Sequence, residues 1–178
     1  MLRAAAACAV VTSSDLEGHI LAGAAGAGVE KVLTHEVLQA LPESLTKLEA
    51  FGPDDVAYIQ YSSGSTSEPK GVLITQKAIM ANTQGILRDG LRVTKSDRAF
   101  SWLPLYHDMG LIAGFIMPVL TGIPLVLLSP FDWVRAPQRL LHAITRYKGT
   151  LVWQPNFAYV FLAQKIRDDQ LEGVDLSS

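Results

Sequence analysis

Short apolar runs alternate with longer amphipathic segments along most of the chain. The runs at 7–12, 31–34, 56–61, 71–75, 98–102, 124–129 and 150–153 have strand length and strand composition. Several are continuous rather than alternating, the pattern of strands covered on both faces. Between them, helical spacing predicts helices at 14–25, 76–88, 109–120, 136–148 and 156–167. In the segment 76–88, Thr75 is placed to cap, and Ile79, Met80, Thr83 and Leu87 are expected to face inward. In 136–148 the inward set is Leu140, Leu141, Ile144 and Tyr147, with Pro137 in the first turn and Arg146, Lys148 and Gly149 marking the end. Strand–helix–strand repetition of this kind implies an α/β layered fold with a largely parallel sheet flanked by helices.

The rhythm breaks at 37–54, which reads as a surface connection. That break divides the chain into a small βαβ unit with its connection at 1–50 and a main segment at 51–178. Arg3 and the alanines after it imitate a secretory leader, but they run into the strand-like Val10-Val11 without a cleavage site. The uncharged stretch 111–128 approaches membrane-spanning length, yet Pro118, Gly122 and Pro124 interrupt it. The expectation is a soluble, cytoplasmic chain without a membrane span.

Composition narrows the field. Hydrophobic residues make up 49% of the 178, enough for a core, while charged residues reach only 18%. Such a surface is expected to expose apolar area, with self-association as a consequence. The net charge of −2 shows no basic stripe for nucleic acid. The single cysteine, Cys8, excludes an internal disulfide and reads as a small buried apolar residue. His19, His35 and His142 have no partners at metal-ligand spacing, and the glycines at 23–28 follow a helix and read as a turn.

Two stretches carry candidate chemistry. The first is Tyr61-Ser62-Ser63-Gly64-Ser65-Thr66-Ser67-Glu68-Pro69-Lys70-Gly71, set between two strands. Backbone amides, hydroxyls and a lysine gathered in one small volume are the groups that wrap phosphate oxygens. It is not a Walker A loop, because Pro69 and Gly71 stand where that pattern needs glycine and Ser or Thr. The same residues also read as a solvated turn. The second stretch, Trp102-Leu103-Pro104-Leu105-Tyr106-His107-Asp108-Met109-Gly110, ends a strand and opens an apolar helix. Side chains there line clefts at the carboxyl edge of a parallel sheet, and His107 could meet an anionic substrate. A Ser63–His107–Asp108 triad is discounted: sequence neighbours rarely face each other usefully, and there is no nucleophile elbow.

In order and spacing, the two stretches resemble the AMP-forming acyl-adenylating superfamily. The nearest subgroup is the fatty acyl-AMP ligases and long-chain acyl-CoA ligases, through Ser101–Pro104, His107–Leu111, Ser129–Phe131 and Pro155–Tyr159. Ser67, Tyr106 and Gln76 depart from the usual pattern, but the hydroxyls and Lys70 remain. The resemblance implies a partial N-terminal domain of an enzyme that turns a fatty acid and ATP into acyl-AMP and pyrophosphate. The acyl group would then pass to a carrier protein's phosphopantetheine or to CoA. It implies Ser62, Ser63, Gly64, Ser65, Thr66 and Lys70 on the phosphates, with Thr66 also reaching Mg2+. His107 would stand as the catalytic residue where carboxylate meets nucleotide, and Met109, Gly110 and Phe157 along the acyl chain. By this reading the segment alone is catalytically incomplete; the alternative is a non-catalytic phosphate-binding or self-associating module.

Overall fold

The computed structural model describes residues 2–42, 49–62 and 70–178, with the backbone alone at Ser62. They form two compact units, Met1–Ala81 and Asn82–Ser178. The boundary placed at residue 50 falls inside the first of these.

The first unit begins with β1 (Ala9–Thr12), α1 (Glu17–Ala24) and β2 (Lys31–Thr34). The two strands are parallel, with Val10 beside Val32, so the expected βαβ arrangement forms. A short helix, α2 (His35–Gln39), occupies the start of the stretch read as connection. Its cap is Thr34, whose hydroxyl accepts the Val37 N–H at 3.3 Å. Cys8, expected to be buried, is exposed. It stands just before β1 in a two-stranded sheet, where its carbonyl is held by the Glu30 and Lys31 amides while its side chain meets no covering layer.

β3 (Val56–Ser62) and β4 (Lys70–Thr75) form an antiparallel pair with Ile59 beside Leu73. The expectation that continuous apolar strands are covered on both faces does not hold here. Val72 is 49% and Leu73 61% exposed, on opposite faces of β4. Only this pair makes up the sheet among the described residues.

α3 (Gln76–Thr83) starts where predicted, with Thr75 Oγ1 accepting the Ala78 N–H at 3.2 Å. It continues through wide, π-type turns over Gln84–Gly90. Thr83 and Leu87 are buried and Ile79 half-buried, but Met80 is exposed. Positions 79, 83 and 87 follow one another at four-residue spacing along the buried side, and Met80 stands beyond the edge of that side at 54% exposure.

The second unit is built on a parallel sheet of order β6–β5–β7, comprising β5 (Ala99–Ser101), β6 (Leu125–Leu127) and β7 (Leu151–Val152). β5 is central, and all of its residues are inaccessible to solvent. A π-type helix at Met109–Ile116 and α4 (Met117–Thr121) connect β5 to β6. Pro118 is accommodated where the wide turns give way to α4, and Gly122 ends that helix with φ +65°. α5 (Pro130–Arg135), which the sequence pattern did not reveal, and α6 (Gln138–Tyr147) lead to β7; α7 (Asn156–Lys165) follows. Among the described residues no helix is long and apolar enough to cross a membrane.

Phe100, Trp102, Leu103, Trp133, Leu140 and Ala158 make the core of this unit. α6 contributes Leu140, with Leu141 and Ile144 half-buried. Tyr147 stays at the surface, where the Arg146 guanidinium lies 5.2 Å from its ring centre. The residue that turns left-handed to end α6 is Lys148, with φ +54°. Gly149 serves a different need: a Cβ there would stand 2.6 Å from Phe100 Cδ2. Beyond α7 the chain folds back on α6, with Thr145 bonded to the Asp175 backbone and Lys148 Nζ 3.1 Å from Asp175 Oδ2.

Two outcomes follow from this packing. Gly149→Ala forces a methyl against a ring that cannot move, so urea denaturation should show a loss of about 1–3 kcal/mol. The Ser177 hydroxyl, the Ser177 N–H and then Lys148 lower the Asp175 pKa from 3.8 to about 2. A lowered carboxylate pKa stabilises the fold at higher pH, and that contribution disappears as pH falls through about 2. Protection of the 172–178 amides, taken relative to the intrinsic exchange rate at each pH, should therefore fall between those two values, and Asp175→Asn should remove that fall.

Candidate functional site

The site is laid out by the end of β5. Phe100 and Ser101 are fully buried, and the chain leaves the sheet through Trp102 and Leu103, both still buried. It then turns, with the His107 N–H donated to the Pro104 carbonyl at 3.1 Å. The next helix opens as the Leu111 N–H reaches the His107 carbonyl at 2.8 Å. Two glycines let this helix lie directly on the strand end. A Cβ on Gly114 would stand 2.6 Å from Ser101 Oγ, and one on Gly110 2.8 Å from the Pro104 carbonyl carbon. Strand and helix between them thus fix the turn that carries His107.

Below the turn lies a stack of rings. Trp102 and Trp133 are parallel, 3° apart in plane, with centroids 3.6 Å apart. Phe157 meets Trp102 edge-on at 6.3 Å, and Phe161 lies 5.0 Å from Trp133. Trp102 Nε1 donates to Gln154 Oε1 at 3.4 Å, whereas the buried Trp133 indole N–H has no partner among the described residues.

Of these residues, Trp102 and Phe157 line an apolar cavity of about 360 Å³. His107 and Met109 enter it from the segment after β5, Pro130 from the segment after β6, and Pro155 and Phe157 from the segment after β7; Trp102 lines it too. It therefore opens at the carboxyl edge of a parallel sheet, where ligands of open α/β sheets bind.

Three residues singled out from the sequence, His107, Met109 and Phe157, meet in this cavity. Gly110 is buried against Pro104, and its part is the close approach of helix to turn. Ser63, Gly64, Ser65 and Thr66 lie outside the described residues. Backbone pairing sets Ser62 opposite Lys70, which is exposed at the start of β4. No group of three His, Cys, Asp or Glu side chains gathers as a metal site among the described residues. Trp102, Pro130 and Pro155 were not foreseen as lining, although each stands in a stretch that already drew notice. Their signal was position: each follows an apolar strand.

One expectation is corrected. His107 and Asp108, adjacent in sequence, do face each other, with Nδ1 2.7 Å from Oδ1. The start of a helix makes this possible, because Asp108 is its cap and also accepts the Met109 N–H at 2.6 Å.

A parallel α/β unit whose central strand delivers a histidine to an apolar cavity is a small-molecule-binding domain in kind. More specifically, the chain belongs to the AMP-binding enzyme family, which matches residues 1–178. A protein of Caulobacter vibrioides (strain NA1000 / CB15N) that carries an acyl-CoA synthetase's name is 44% identical over 156 residues, covering 88% of this chain and 26% of that one. The medium-chain-fatty-acid–acyl-carrier-protein ligase TtuA of Teredinibacter turnerae is 40% identical, covering 71% and 20%. Among solved structures, one from work on fatty acyl-adenylate ligases of E. coli and L. pneumophila superposes with a TM-score of 0.88 at 36% identity, over 96% of this chain and 31% of that one. The chain thus spans about a quarter of the length of the relatives it matches. Its mixed α/β fold, with parallel sheets flanked by helices, is that of the N-terminal domain of acyl-adenylate ligases.

The packing distinguishes the two aromatic walls of the cavity. Trp102 is in the core, whereas Phe157 is 60% exposed. Chemical denaturation should show a loss of about 3–5 kcal/mol for Trp102→Ala. Phe157→Ala should lose under about 1 kcal/mol. The reverse order would contradict the anchoring described here.

Proposed function

We propose that this chain supplies the acyl-binding and phosphate-binding part of a ligase that activates fatty acids by adenylation. The observation that carries the reading is the apolar cavity with His107 beside it, at the carboxyl edge of the sheet, in a chain of the AMP-binding enzyme family. In the reaction, a carboxylate oxygen of the fatty acid forms a bond to the α-phosphorus of ATP. The bond from that phosphorus to the bridging oxygen breaks, and pyrophosphate leaves with its electron pair.

A carboxylate is already ionised at neutral pH, so no general base is needed. The obstacle is bringing two anions together, and positioning with positive charge answers it. Trp102, Met109 and Phe157 take the alkyl chain out of water. His107 holds the carboxylate at the polar end of that cavity. Ser62, Ser63, Gly64, Ser65, Thr66 and Lys70 hold the triphosphate; of these, Lys70 is among the described residues and free to reach an anion in solvent. Mg2+, a hard cation that binds chiefly through phosphate oxygens, would neutralise the leaving pyrophosphate, with Thr66 as a protein ligand.

The acyl group then passes to a thiol, that of a carrier protein's phosphopantetheine or of CoA; the relatives' names include both kinds of acceptor. The cytoplasm, where ATP and these acceptors are found, is the compartment that goes with this reading.

Trapping of acyl-AMP by hydroxylamine tests the proposal, with the segment assayed within a polypeptide of its relatives' length. Product should require both ATP and a fatty acid. His107→Ala should lower kcat/KM for the fatty acid about 10- to 100-fold, the loss expected for one charge-assisted contact. Lys70→Ala should raise KM for ATP about tenfold. The 178-residue segment alone should give no turnover. Product formation indifferent to fatty acid would overturn the reading.

A further inference from the structure

Asp108 is in contact with His107, the imidazole that lines the cavity, and the donors and acceptors around it admit a single consistent arrangement. Its Oδ1 lies 2.7 Å from His107 Nδ1 and 2.6 Å from the Met109 backbone nitrogen. Met109 N is also 3.3 Å from His107 Nδ1. Were Nδ1 bare and accepting the Met109 N–H, its lone pair would face the lone pairs of Oδ1 at 2.7 Å. With the proton on Nδ1, both short contacts become donations to one carboxylate oxygen, which has lone pairs for two. The longer approach of Met109 N to Nδ1 is then only the third side of that triangle.

We propose that Asp108 is a positioning residue: it holds the proton on His107 Nδ1 and so leaves Nε2 as the nitrogen that meets the ligand. The carboxylate ties the imidazole to the first amide of the helix that follows, so ring orientation is set by the helix and not by the ring's own rotation. In the imidazolium, Nε2–H is the donor a fatty-acid carboxylate requires. In the neutral ring, Nε2 is a bare acceptor. Nδ1 carries its proton in both forms, so one ring orientation serves both. The role resembles that of carboxylates that fix a histidine tautomer in other sites, with the carboxylate here supplied by the adjacent residue. The ligand side of this proposal rests on the fatty-acid reading given above; the tautomer side does not.

Nitrogen-15 NMR of the histidine side chains in the 178-residue chain tests both sides separately. The His107 signals are identified by their loss in His107→Gln. In its neutral form the wild-type ring should be protonated at Nδ1 and bare at Nε2. Asp108→Ser keeps a capping oxygen for the Met109 N–H but cannot orient the imidazole, and should shift the ring toward the Nε2–H tautomer. Added dodecanoate should move the wild-type Nε2 signal at lower pH, and Asp108→Ser should weaken that response about three- to tenfold in apparent Kd. A wild-type ring in the Nε2–H form, or a ring unchanged in Asp108→Ser, overturns the positioning role. A ring with the expected tautomer that ignores dodecanoate overturns instead the carboxylate reading of the cavity.

Discussion

The second unit depends on how closely its neighbours approach one short strand. β5 is only Ala99–Ser101, yet every one of its residues is sealed from solvent. Phe100 leaves room for no side chain at Gly149, the residue that leads into β7, and Ser101 leaves none at Gly114, in the helix that returns toward β6. A strand gripped on two sides in this way has a fixed exit. Trp102 leaves it straight into a parallel stack with Trp133, and His107 is reached five residues later through a turn closed by Pro104. Close packing and the hydrogen bonds of the sheet and turn set this geometry together: interiors at crystal-like density transmit the position of one group to the next with little slack.

On the proposed function, the apolar cavity and the imidazole that lines it match the chemical problem a fatty acid sets. A fatty acid brings an alkyl chain that gains from leaving water and a carboxylate that does not. The cavity answers the first with indole, thioether and phenyl surface from the ends of parallel strands. A single imidazole answers the second, at the surface end where solvent can still reach it. The His107 and Asp108 side chains are 63% and 59% exposed, so their contact adds little to stability, and its consequence lies in orientation.

Much of this was legible in the sequence, and the reasons are specific. All of the strands anticipated from apolar runs form, because short apolar runs bounded by turn residues have few other ways to satisfy their backbone. Thr75 caps as expected, and His107, Met109 and Phe157 line one cavity. What escaped was either too short for periodicity or dependent on tertiary contact. α2 and α5 span barely more than a turn, and Ser129-Pro130 gives only a weak start signal. Gly149 reads as a helix stop, but its work is to admit the Phe100 ring, which no local pattern records. The exposure of Cys8, Val72 and Leu73 is likewise a matter of what lies over them, and hydropathy along the chain cannot show that. The phosphate-loop positions Ser63 to Thr66 lie outside the described residues.

The central claim is that the space bounded by Trp102, His107, Met109 and Phe157 receives an alkyl chain carrying a carboxylate. Photolabelling with a fatty acid that bears a diazirine on its tail, followed by peptide mass spectrometry, addresses it most directly. The account predicts label on the peptides around Trp102–Met109 and Pro155–Phe157, competed away by unlabelled fatty acid. Label confined to the exposed face of β4 or to α6, or label that unlabelled fatty acid fails to displace, would contradict it.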